Sequence, residues 1–254
     1  VIAELLGIDS SCFDDFKAWS EAAVKTAFSP FPDPEDVELA EVAQGKLNEF
    51  FVNEIQQRRE QPGDDLLSEL IRAEEAGDKL TEVELMDQCN LMLVAGNVTT
   101  TDLIGNGVKA LLDNPDQMAL LKNNRGLITN AVEEMLRFDS PVVGSARIPN
   151  KDTDIQGCPI VKGATLAVSL AEANHDPAVY PDPGQFDIER VDTHHQSFGG
   201  GRHMCLGAHL ARVEAQEAIL ALIERFPELR YSDKGFVRAV VPGFRGYESL
   251  WVCG

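Results

Sequence analysis

The chain has 254 residues, 44% of them hydrophobic, enough to bury a substantial core in one large domain or two modest ones. Its 42 acidic residues against 22 basic ones give a formal charge of −20, which argues against nucleic acid or an anionic membrane as partner and favours small molecules and proteins. The cysteines at 12, 89, 158, 205 and 253 show no CxxC or zinc-like spacing and suit a reducing, cytoplasmic setting, and the best apolar stretch, Leu91 to Gly96, is far too short to span a bilayer.

The first half predicts helices. Phe13, Phe16, Trp19 and Ala23 recur at helical spacing until three prolines within residues 29–36 interrupt them. Glu35 to Arg59 follows as a second helix with Val42, Leu47, Phe50, Phe51 and Ile55 as its apolar positions. Asp65 to Ala76 is a short helix ended near Gly77, and Thr81-x-x-Glu84 then forms a capping box that starts a helix of about thirty residues. Its apolar positions include Val83, Met86, Leu91, Val94, Ala95, Leu103, Ile104, Val108 and Leu111. Gly96 near its middle costs roughly 1 kcal/mol relative to Ala, so it has a packing or a ligand reason. Shorter helices are expected at 115–122 and 127–138, the latter closed by Pro141.

From Ser145 the pattern changes. Ile155 to Leu170 predicts two short strands around a Lys162-Gly163 turn, and Tyr180 to Ser197 is irregular. A last long helix is expected from Leu206 to Arg225, with Leu210, Val213, Leu220 and Ile223 along one face and Pro227 stopping it, before strand-like pieces from Phe236 to Val252. The fold class is mainly α with minor β: residues 1–140 helical, 141–204 mixed β and loop, 205–254 a helix and terminal strands.

The residue that asks for explanation is Cys205, set in FGGGRHMCLG between a glycine-rich turn and the first turn of that helix. There a sulfur faces the positive end of the macrodipole and unpaired backbone N–H groups, while Gly199, Gly200 and Gly201 let the preceding backbone curl close. The arrangement suits a soft, anionic metal ligand.

With Phe198, Gly201, Cys205 and Gly207 at these spacings, and the run continuing through Ala208, Leu210, Ala211, Arg212 and Glu214, the chain resembles a bacterial cytochrome P450. The resemblance runs from the opening VIAELLGI to the closing FRGYESLWV. It implies the C-terminal two-thirds of a single domain of that fold, with a long central helix and a haem-ligand loop, and the family's earlier helices absent from the sequence. A fragment of this kind is expected to be poorly stable or to associate through bare apolar surface.

The resemblance also implies roles. Cys205 is then the axial thiolate of a haem b iron, which favours O–O cleavage, with Phe198 packed beside it and the glycine amides tuning it. Ala95-Gly96-Asn97-Val98-Thr99-Thr100 matches the oxygen-binding segment: Thr99 is expected to bond back to the Ala95 carbonyl while Gly96 leaves room for O2 and water, and Asn97 and Thr100 join Thr99 as candidate catalytic residues. Val98 stands where the family usually has Asp or Glu and cannot relay a proton, so the relay is expected to use Thr99, Asn97, water or a carboxylate such as Asp102. Glu134, Arg137 and Arg190 match a buried ion-pair network, and Arg147 and His203 match donors to the haem propionates. Leu91, Ala95, Val142 and Val143 are substrate-pocket candidates that could equally be core. Arg202 and Arg212 offer a basic patch on which an acidic ferredoxin or flavodoxin-like donor could dock.

The implied function is a monooxygenase that inserts one oxygen atom from O2 into an apolar small molecule. Val98 keeps a peroxide-driven or reductive haem-thiolate enzyme open, and the missing N-terminal region keeps a haem-binding sensor or inactive relative open.

Overall fold

A computed structural model describes residues 1–27, 32–76, 80–241 and 243–254; the expected Gly77 helix stop and the first part of the proline-rich link, 29–31, lie outside the described residues. The chain divides into two compact units, Val1–Thr99 and Thr100–Gly254.

The first unit is helical. Helices α1 (Ile2–Leu5) and α2 (Phe13–Ala27) precede α3 (Pro34–Glu60), which starts where Asp33 accepts a bond from the Glu35 amide and Pro34 fills the first helical position. Helix α4 (Leu66–Glu75) is capped by Asp65, which accepts from the Ser68 amide at 2.8 Å and pairs with Arg58 at 2.9 Å. Helix α5 (Glu82–Asp113) opens on the expected reciprocal box: the Thr81 amide donates to Glu84 at 2.8 Å and the Glu84 amide to the Thr81 hydroxyl at 3.3 Å. Leu6, Phe16, Leu47, Phe51, Leu67, Leu85 and Leu93 form this unit's core, while Val42 and Val83 face solvent, outside the stripes assigned to them.

The second unit continues along α5 from Thr100 and adds α6 (Pro115–Asn123) and α7 (Ile128–Phe138). Strand β1 (Gly144–Arg147) follows, then β2 (Thr153–Ile155), β3 (Cys158–Ile160), β4 (Leu166–Ser169) and the single turn α8 (Leu170–Ala173). The chain closes with α9 (Ala208–Arg225), β5 (Arg230–Arg238) and β6 (Tyr247–Cys253).

The strand pairing departs from the expected hairpin. β2 pairs with β3 around Gln156 and Gly157, both at positive φ, whereas β4 pairs antiparallel with β1. The Lys162-Gly163 turn therefore joins strands of two different sheets. Its glycine marks a real left-handed residue, at φ +83°, but a turn residue cannot say which strand its neighbour will pair with.

Leu103, Leu111, Leu121, Val132, Met135, Phe186, Ile188, Ala215 and Ile219 pack as the core of this unit. A β-carbon on Gly107 would stand 2.6 Å from the Met135 sulfur and 3.3 Å from Ile219, so the missing side chain is what lets α5, α7 and α9 approach there. The buried face of α9 is Ala208, Ala215, Ile219 and Ile223; Val213 points to solvent, because two residues from Ala215 is about half a turn away and lies on the other side of the helix.

Candidate functional site

Between the irregular segment and α9 the backbone makes the turn that carries Cys205. Gly199 and Gly201 take φ of +65° and +66°, and neither would meet another atom closer than 3.8 Å if given a β-carbon; backbone conformation, not space, asks for glycine. The Cys205 amide donates to the Phe198 carbonyl at 2.9 Å and closes the loop across its base. Gly201–His203 form a single 3₁₀ turn within it, and Ala208 donates to the Cys205 carbonyl at 3.4 Å. The helix begins at Ala208, capped by Gly207, two residues later than expected, so the cysteine lies ahead of the first turn. Cys205, His203 and Leu206 are all exposed.

Behind the loop, α7 supplies two adjacent carboxylates. Glu134 accepts from Arg137 at 2.7 and 2.8 Å, from Arg190 at 3.2 and 3.3 Å and from the Asp187 amide at 3.0 Å. Glu134 and Arg137 are fully buried and Arg190 nearly so. Arg137 also donates to the carbonyls of Asn174, Pro183 and Gln185, and Arg190 to those of Pro181, Asp182 and Gln185, so the buried charges have their partners. The irregular segment is thus threaded onto α7. Buried Asn174 extends the attachment: its amide donates to Ser197 at 2.9 Å, its carbonyl oxygen accepts from the Gln196 amide at 2.7 Å, and Ser197 donates to the Leu136 carbonyl at 2.6 Å. Nothing in sequence spacing pointed to Asn174 or Ser197, since their partners lie dozens of residues away.

The second carboxylate, Glu133, escaped the sequence reading although it stands beside the motif glutamate. Arg212 reaches it with two nitrogens, at 2.6 and 2.9 Å, and His195 Nε2 lies 3.2 Å from it. Burial alone would raise the Glu133 carboxyl, but the hydrogen bonds with His195 and Arg212 outweigh it and bring it to about 2. Phe198 sits between these partners, its ring 5.7 Å from the His195 ring and 4.5 Å from the Arg212 guanidinium. Arg212, expected near the outer surface, keeps a quarter of its side chain exposed but is held by a bidentate carboxylate and an aromatic face, which suit a planar, weakly hydrated cation. Arg202 remains exposed.

Val142 and Val143, half-buried, follow α7. Val142 bridges Phe244, the Val143 amide donates to Gly243, and the Val143 carbonyl accepts from Leu170 and Ala171. Arg147 ends β1 with an exposed side chain, its guanidinium donating to Ser145 and the Ala146 carbonyl at 2.7 Å each. Thr100, also of this unit, is buried and hydrogen-bonded to Glu214 of α9, an anchoring contact. Asp102 packs against the Gly246 backbone, a contact that leaves no room there for a β-carbon.

In the first unit Thr99 donates its hydroxyl to the Ala95 carbonyl at 2.9 Å, as its place in the helix allows. Gly96 packs against Ile2, to which a β-carbon would approach 3.1 Å. That gives the glycine a packing reason. Leu91 and Ala95 are exposed. Asn97 and Val98 are half-buried.

The donors fit a haem better than a bare metal ion. Among the described residues no three His, Cys, Asp or Glu side chains converge to hold an ion. One sulfur can ligate iron only if the other equatorial donors come with the metal, as in a porphyrin, and Arg147 and His203 are donors of the kind that carboxylates on such a ring require.

Comparison with known proteins points the same way. The family model described as Cytochrome P450 matches residues 22–234. Cytochrome P450 107B1 of Saccharopolyspora erythraea is 44% identical over 231 residues, covering 91% of this chain and 55% of that protein. Cytochrome P450 monooxygenase PikC of Streptomyces venezuelae is 43% identical, covering 90% and 54%. Among solved structures, CYP109E1 from Bacillus megaterium in complex with testosterone aligns with a TM-score of 0.92 at 32% identity, over 99% of this chain and 66% of that one. The chain spans a little over half the length of the two sequence relatives. Among the described residues no helix is long and apolar enough to cross a membrane.

Proposed function

Because the chain belongs to the cytochrome P450 family, we propose that the protein it represents is a haem-thiolate monooxygenase inserting one oxygen atom from O2 into an apolar small molecule. Family membership implies a haem whose iron is bound by a cysteine. Haem b is our reading of its type, and an acidic ferredoxin or flavodoxin-like protein our reading of the electron donor. A relative named as a monooxygenase and another solved with testosterone support the reaction and the apolar substrate class.

The observation that carries this reading is the exposed Cys205 on a glycine turn closed by the Phe198 carbonyl, in a chain that also holds the buried Glu134–Arg137–Arg190 network. When bound, haem supplies electron transfer and oxygen activation, which side chains alone do not perform. Cys205 offers the sulfur, and the network fastens to α7 the irregular segment that leads into the loop. We read Phe198 as the residue that would flank the sulfur, and Arg147 and His203 as the donors that would hold the haem carboxylates. Thr99 donates to Ala95, which leaves its oxygen free to accept from water or substrate and so to hold a proton donor in place. Asn97 is our second candidate for the same relay. Leu91 and Ala95 in the first unit, and Val142 and Val143 in the second, stay our candidates for apolar substrate contacts.

Val98 favours a second reading, a peroxide-driven or reductive enzyme, because the position preceding Thr99 carries no acid. The test uses the full-length protein. A thiolate-type Soret band in the reduced carbon-monoxide spectrum, lost in Cys205→Ala, supports the haem-thiolate site. Product formed with ferredoxin, ferredoxin reductase and NAD(P)H supports the monooxygenase, and product formed only with peroxide supports the second reading. A haem-loaded protein that turns over nothing under either regime is a sensor or an inactive relative.

A further inference from the structure

Adjacent glutamates on α7 divide two tasks. Glu134 fastens the irregular segment, whereas Glu133 gathers His195, just before the cysteine loop, and Arg212, on the helix just after it. Between those two partners lies the Phe198 ring, and the Phe198 carbonyl is the acceptor that closes the loop on the Cys205 amide. The His195 side chain is nearly completely buried and that of Glu133 is only 19% exposed, so the pair is not a solvated surface contact. Arg212 spends both its charge and its flat face on this cluster.

We propose that Glu133 is a positioning residue for the haem-ligand loop: by holding His195 and Arg212 on either side of Phe198 it fixes the backbone that presents the Cys205 sulfur. The inference rests on the reading of Cys205 as the iron ligand. The effect runs through a ring and a backbone hydrogen bond, so Glu133 itself needs no contact with haem. It also removes Arg212 from the set of cations an electron donor could use while the carboxylate is in place.

The experiment follows the haem-loaded full-length protein and its Glu133→Gln, Glu133→Asp and Phe198→Leu variants, recording how fast the thiolate-type reduced carbon-monoxide band gives way to a non-thiolate band. Glu133→Gln keeps the side chain's size and removes its charge. It is expected to load haem as the parent does, to lose the thiolate band several-fold faster and to shift the iron reduction potential, with Glu133→Asp recovering part of the loss. Combined with Phe198→Leu it adds little, since both act on one ring. Parental decay and potential in Glu133→Gln, or full additivity with Phe198→Leu, overturns the proposal. If Glu133→Gln does not load haem, Arg212→Lys carries the test, because it keeps the charge and loses the bidentate, stacked contact; parental decay there also overturns it. A parent protein with no thiolate band, or one whose band survives Cys205→Ala, instead removes the underlying reading of Cys205.

Discussion

The Phe198 carbonyl and the Cys205 amide, 2.9 Å apart, fix the two ends of a loop whose interior depends on two left-handed glycines. Gly200, between them, is extended at φ −163° and has open space around its α-carbon. Two alanine substitutions therefore separate conformation from crowding. Gly201→Ala should cost about 1–2 kcal/mol and weaken haem retention, whereas Gly200→Ala should leave both nearly unchanged. Urea titration and haem content measure the difference; equal losses at the two positions would show that the left-handed geometry is not what the loop needs.

Arg137 carries a different kind of demand. It is fully buried, doubly bonded to Glu134 and bonded to the carbonyls of Asn174, Pro183 and Gln185, and its guanidinium lies 5.2 Å from the Tyr180 ring. Arg137→Ala leaves Glu134 buried with only part of its compensation and should cost about 3–5 kcal/mol. Arg137→Lys keeps the charge but cannot make that fork of bonds, so it should rescue little. Both variants are expected to yield little haem-loaded protein, read as the ratio of haem to protein absorbance. Near-parental loading of Arg137→Lys would contradict the role assigned to the fork.

What could be read from sequence was whatever depends on residues close together in the chain. The Thr81–Glu84 box arises within four residues and the helices follow from periodicity along each segment, while the Thr99 bond to Ala95 spans four residues but was picked out through the family resemblance. The Glu134–Arg137 spacing is too common in helices to signal a buried pair, so it and Arg190 entered together through the family resemblance. The pairing of β4 with β1 was not legible, because both strands are short and no turn joins them. Glu133, Asn174 and His195 were hidden more deeply. Each meets partners from 22 to 79 residues away, and a local pattern assigns a lone polar residue to solvent by default. The Arg212 pairing with Glu133 was hidden in the same way.

Thr99 tests the proposed chemistry with little disturbance of the fold. Its hydroxyl bond to the Ala95 carbonyl is exposed and should contribute well under about 1 kcal/mol, so Thr99→Ala is expected to keep the parental melting temperature and haem spectrum. Product formation with a ferredoxin system should fall by about tenfold or more, and Thr99→Ser should recover much of it, because a hydroxyl is restored at the same atom. Unchanged turnover in Thr99→Ala would move the proton relay to Asn97 or another group and strengthen the peroxide-driven reading.

The Glu133 cluster gives the fold a defined response to acid. Its carboxyl titrates at about 2 in the folded chain against an ordinary value of 4.5, so the folded state binds the proton more weakly than the unfolded one. Stability from this group is fully present above about pH 4.5 and is lost as pH falls towards about 2, amounting to roughly 3 kcal/mol at most by linkage. Glu133→Gln cannot take part in that titration. The stability gap between parent and variant, measured by urea unfolding, should therefore be largest near pH 6 and shrink by about half or more near pH 3. Arg212 should follow its partner: with Glu133 neutralised, Arg212→Ala costs less than it does in the parent, a coupling that a double-mutant cycle reads directly. A gap that stays constant across this range would mean that the carboxylate's charge contributes nothing, and that His195 and Arg212 are held by packing against Phe198 alone.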